Sequence, residues 1–115
     1  MKKVIGAQGE VRIVQIDAMP NGIETKAPER TAKGFIISHS ESGHHHILTG
    51  GDVMERTDNV PAGMQRFYAI LKEPQQFIQD AANPHGGYNL DPGIYRFDVS
   101  REYDPFMDQA RRVAD

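Results

Sequence analysis

The chain contains no cysteine among its 115 residues. That absence removes disulfides, thiolate catalysis and cysteine-based zinc sites, and it fits a reducing compartment. Positive charge is also in short supply: 13 Lys and Arg stand against 16 Asp and Glu, a formal net charge of −3. Generic binding to a nucleic-acid backbone needs a basic face, so no nucleic-acid partner is expected. The one basic pair near the end, Arg111-Arg112, is answered by Asp104, Asp108 and Asp115 and reads as a solvated helix face. Long apolar runs are missing too. No stretch approaches transmembrane length, and no apolar region follows the basic start Met1-Lys2-Lys3. Neither a membrane span nor a secretory signal is expected, which leaves a cytoplasmic protein.

Several catalytic signatures are absent. Gly50-Gly51 and Gly86-Gly87 lack the spacing and the following helix of a phosphate-cradling loop. No nucleophile elbow surrounds Ser40 or Ser42, whose composition suits a turn. Carboxylate pairs such as Glu41 with Asp52, or Glu102 with Asp104, are available, but nothing selects one. No catalytic residue and no organic-cofactor site is therefore assigned, and the balance leans away from an enzyme.

Hydrophobic residues make up 38% of the chain, and they are grouped in short runs rather than diluted as disorder would require. Residues 11–17 (VRIVQID) are β-branched and bounded by Gly9 and by Pro20-Asn21-Gly22. Residues 34–39 (GFIISH) and 44–49 (HHHILT) are two further strand candidates, joined by the hairpin-like Ser40-Glu41-Ser42-Gly43. After Gly50-Gly51 comes 52–56 (DVMER), and then 66–71 (RFYAIL), the most apolar run and a candidate central strand. Residues 76–79 (QFIQ) read as an edge strand or a short helical turn. Asp91-Pro92-Gly93 has the composition of a type II turn and leads into 94–99 (IYRFDV), where Tyr95, Phe97 and Val99 alternate with polar positions. After Tyr103 the pattern turns helical, with Asp104 as cap and Pro105 at the first position. Phe106, Ala110 and Val113 would dock that helix. The expected fold is a single all-β or mainly β domain: a small antiparallel barrel or sandwich of about six to eight short strands. One C-terminal helix is expected over about residues 105–114.

The chemically pointed feature is the run His44-His45-His46, with His39 before it and His85 in a Gly/Pro loop. On a strand, His44 and His46 share a face and His45 points away. Two same-face imidazoles on a rigid strand can begin a divalent-metal site, and His85 is the distant candidate to complete it. His39, Glu41 and Asp80 are lesser options. Zinc, iron, manganese or nickel would accept such a set. The competing reading is a structural or pH-sensitive polar cluster.

In their order along the chain, these motifs resemble an uncharacterised family of small phage- and prophage-associated bacterial proteins. The matching pieces are Gln8-Gly9-Glu10-Val11, Asp17-Ala18-Met19-Pro20, Gly43-His44-His45-His46, His85, Pro92-Gly93-Ile94-Tyr95 and Arg101-Glu102-Tyr103. The family's paired later histidines are reduced here to His85, with Ala82 at the earlier place. A second likeness is to cupins, metal-holding β-barrels with a His-x-His strand and a later histidine. Here the usual glutamate is replaced by the Thr49-Gly50-Gly51 region, and His85 precedes rather than follows the Pro92-Gly93 turn. The first resemblance implies a phage-linked small β-protein and carries no activity with it. Together with the acidic composition and the absence of a complete catalytic set, it leads to the expectation of a small binding or structural module, self-associating or partnered by a phage or host protein. The second implies a cupin-like metal-binding protein or metal-dependent enzyme using His44, His46 and His85.

Overall fold

Strand alternation along the chain resolves into two antiparallel sheets in the computed structural model, which describes residues 2–39, 45–80 and 87–100. Eleven strands form among these residues, and no helix does. In chain order they are β1 (Lys3–Gln8), β2 (Val11–Ile16), β3 (Thr25–Lys26), β4 (Arg30–Thr31), β5 (Gly34–Ser38) and β6 (His46–Leu48). There follow β7 (Asp52–Arg56), β8 (Met64–Leu71), β9 (Gln75–Gln79), β10 (Tyr88–Leu90) and β11 (Gly93–Ser100). The six-stranded sheet has the order β1-β2-β11-β8-β7-β3, and the five-stranded sheet the order β10-β9-β6-β5-β4.

The core lies between the sheets because the alternation on each long strand sends one set of side chains inward. Val11 and Ile13 of β2, Phe67, Ala69 and Leu71 of β8, and Tyr95, Phe97 and Val99 of β11 meet Ile37, Leu48, Phe77 and Leu90 of the other sheet. The rings of Phe77 and Phe97 lie 5.3 Å apart at 34° and bridge the two layers. The apolar run of β8 does sit centrally, between β11 and β7.

Both sheets have open ends, so the arrangement among the described residues is a sandwich of two layers and not a closed barrel. The strand number exceeds the six to eight expected from the sequence. The surplus comes from β3, β4 and β10, which have two or three residues each and are too short to display a period. The punctuating residues turn out to be corners. Gly50-Gly51, residues 72–74 and Asp91-Pro92 each hand the chain from one sheet to the other. Gly51 permits the first corner: its φ is +113°, and a Cβ there would stand 2.4 Å from Leu71 Cδ2. Asp91-Pro92-Gly93 is not a type II turn, since Gly93 has φ 159° and already opens β11 in extended backbone. The Tyr95 hydroxyl closes that corner by donating to the Asp91 carbonyl at 2.7 Å. Residues 75–79 form an interior strand, because β10 pairs outside them. β5 and β6 pair antiparallel as expected, while their connecting turn lies outside the described residues, as does the helix expected over about residues 105–114.

One connection has consequences for the surface. β2 is second in its sheet and β3 is last, so residues 17–24 must cross β11, β8 and β7. Four strand spacings make about 19 Å, within the roughly 28 Å that eight residues can reach. Asp17, Ala18 and Pro20 line a cavity with Tyr68, Arg66 and Arg96, whose chain neighbours Phe67 and Phe97 face the core. The crossing therefore runs over the outer face. It ends where Thr57 N donates to the Glu24 carbonyl at 2.8 Å and Glu24 N donates to Asp58 Oδ1 at 3.0 Å.

Replacing Phe97 by Ala is expected to cost about 3–5 kcal/mol, since both sheets pack on this ring. Denaturant unfolding checks this; a loss below about 1 kcal/mol would mean that the two layers do not share this core.

Candidate functional site

The histidine locus is built on a tight turn. β1 and β2 are joined by Gly9-Glu10 alone, with Gln8 paired to Val11. Gly9 has φ +58°, the first-position glycine of a type II′ hairpin. This turn is tucked beneath His46, the first residue of β6 in the opposite sheet. A Cβ on Gly9 would come within 3.0 Å of His46 Nε2.

The residues flanking that glycine both reach the imidazole. Gln8 Oε1 accepts from His46 Nδ1 at 2.6 Å, which places the neutral ring's proton on Nδ1. Nε2 faces Glu10 Oε2 at 3.8 Å. The Ser38 hydroxyl, on the residue paired with His46 in the neighbouring strand, donates to Glu10 Oε1. The ring also stacks on Phe77, with centroids 6.0 Å apart and planes at 13°. His46 is buried, and burial holds its pKa below the ordinary histidine value. The Glu10 carboxylate opposes that shift, and His45 adds to it.

His45 turns the other way, as strand alternation requires. Its ring meets His39 edge-on at 4.8 Å, while the His45 carbonyl accepts from Asp80 N at 2.7 Å. His39 Nε2 lies 3.1 Å from Glu29 Oε1, and Asp80 holds Lys33. Of the expected ligand set, His46 is placed; His44 and His85, like Glu41, lie outside the described residues. Among the described residues, no group of three or more His, Cys, Asp or Glu is arranged to hold a metal ion. What the placed atoms can do is specific. A neutral imidazole anchored through Nδ1 offers an Nε2 lone pair beside a carboxylate, where it can take up a proton.

Gln8, Glu10 and Ser38 were not foreseen as partners of His46. The local signal was present, since a glycine between two polar residues opens a hairpin turn, but nothing in a single sequence states which strand that turn meets. A companion contact lies alongside. Tyr88 of β10 donates from its hydroxyl to the Ala7 carbonyl at 2.8 Å and accepts from Ala7 N at 3.2 Å. Its ring occupies the space above Gly6, where a Cβ would lie 2.5 Å away.

These features define a two-layer, all-β protein whose histidine locus is a polar joint between its layers. Residues 7–100 match the family described as Domain of unknown function (DUF8820), and the chain belongs to that family. No curated protein and no solved structure matches it. Among the described residues, no helix is long and apolar enough to cross a membrane.

A depressed folded-state pKa means that the unfolded chain, titrating near about 6.5, takes the proton first. The contribution of His46 is therefore full above that value. It falls as the pH drops through it and levels off once the folded ring is protonated. The Tm should decline between about pH 7.5 and about pH 5 by an increment that His46→Asn lacks. Superimposable pH profiles for the two proteins would contradict this assignment.

Proposed function

We propose that the protein is a small, non-catalytic binding or structural module of phage or prophage type, in which the histidines are polar fittings. The observation that carries this reading is the engagement of His46 by Gln8 and Glu10 across the two sheets. The acidic composition and the absence of a catalytic set in the sequence support it. Self-association is part of the proposal. β1 ends the six-stranded sheet, and its Val4 is 54% exposed. The partner is then a second copy of the chain or a phage or host protein, met in the cytoplasm.

A second reading is favoured by one detail. The Nδ1–H of His46 is tied to a carbonyl oxygen, which is how metal-ligating histidines are commonly oriented, and Nε2 lies near a carboxylate. A cupin-like divalent site at His44, His46 and His85 would use that nitrogen for zinc, iron, manganese or nickel.

Elemental analysis of the purified, untagged protein beside a His44→Ala, His46→Ala double variant separates the two, with light scattering on the same samples. Negligible metal in both, with a mass above that of the monomer, is expected. Stoichiometric metal in the parent protein, lost from the double variant, would overturn the first reading in favour of the second.

A further inference from the structure

The outer face of the six-stranded sheet carries a concentration of positive charge that strand alternation puts there. On β11, Arg96 and Asp98 alternate with the core residues Tyr95, Phe97 and Val99 and face outward. On β8, Arg66 and Tyr68 do the same beside Phe67 and Ala69. The register sets Arg66 opposite Asp98 and Tyr68 opposite Arg96, with Arg56 of β7 beside Arg66. Where residues 17–24 pass over this face they leave a cavity of about 440 Å³, lined by these three arginines, Tyr68, Lys2 and Pro20.

Among the described residues, the charges in this cavity do not balance. Asp98 accepts from Arg66 Nε at 2.7 Å and from Arg96 Nε at 3.0 Å. The Asp98 side chain is 9% exposed, and those of Arg66 and Arg96 are 21% and 15% exposed. Among the described residues, one carboxylate therefore serves two largely buried guanidiniums, and one positive charge is left over. Arg12 lies across from Asp98 on β2 but is exposed and outside the cavity lining. Arg56 is matched by Asp58 at 3.1 Å and hydrogen-bonds the Tyr68 side chain. Lys2 and Asp17 both line the cavity. A charge left without a counter-ion away from water is costly. The contacts to Asp98 engage Nε, one of five N–H donors on each guanidinium.

We propose that this cavity binds a small organic anion, with a carboxylate or phosphate head carried on an aromatic or apolar body. The head supplies the missing counter-charge at Arg66 and Arg96, whose planar donor forks suit either oxyanion. The body lies against the apolar wall formed by Ile16, Ala18 and Pro20. The volume falls in the ordinary range for small-molecule sites, about 300–1,000 Å³. This site is independent of the histidine joint and stands whether or not that reading holds.

The test is titration of the whole chain at low salt with phenyl phosphate, benzoate and the uncharged benzyl alcohol, followed by calorimetry and by the arginine Nε–H resonances. Saturable binding of phenyl phosphate or benzoate, shifting the Arg66 and Arg96 signals, is expected, with none for benzyl alcohol. Whichever anion binds tighter identifies the head. Arg96→Gln leaves Arg66 and Asp98 balanced and should weaken binding about tenfold. Asp98→Asn removes the shared carboxylate and should tighten it about tenfold. If either variant fails to fold, Lys2→Ala at the exposed mouth still carries the test, with a loss of about threefold. No saturation by either anion, equal binding of benzyl alcohol, or affinities unmoved in the folded variants would overturn the proposal.

Discussion

The docking of the Gly9-Glu10 turn beneath the His46 ring is the contact on which the relation between the two sheets depends. Apolar burial between the layers supplies most of the driving force but has no direction, so it does not by itself fix how one sheet lies over the other. The hydrogen bond from His46 to Gln8, that from Ser38 to Glu10 and the Tyr88 contacts with Ala7 are directional, and all three fall along the first hairpin. Each adds only about 0.5–1.5 kcal/mol net, yet losing one partner strands a buried polar group at a larger cost. The joint therefore specifies the docking of the sheets more than it adds to their stability.

The two faces of the six-stranded sheet solve different problems with one alternation. Inward, Val11, Phe67 and Phe97 pack against the five-stranded sheet. Outward, Arg66, Arg96 and Asp98 share charge beneath the crossing of residues 17–24. Tyr68 faces that way and is still only 3% exposed, because arginine side chains and the crossing segment surround it. A strand that reads as apolar on both sides can thus have one side in the core and the other in a charged cavity.

Much of the fold was legible because it rests on local periodicity. The expected runs 11–17, 52–56, 66–71 and 94–99 became β2, β7, β8 and β11 with ends shifted by at most two residues. The inward sets on β8 and β11 were those that alternation indicates. What could not be read was long-range. Gly50-Gly51 and Asp91-Pro92 were visible as breaks, but a break does not say whether the chain folds back or changes sheets. Within the histidine run, the opposite orientations of His45 and His46 followed from strand geometry. The partners of His46 come from residues more than thirty positions away, out of reach of any local rule. The arginine cavity depends on the crossing from β2 to β3, which no turn signal announces.

The most direct measurement of the central claim is a double-mutant cycle in unfolding free energy with Gln8→Ala and His46→Ala. If the hairpin turn and the histidine form one joint, the two losses overlap, with a coupling of about 1 kcal/mol. Losses that add to within about 0.3 kcal/mol would show two independent residues and contradict the joint.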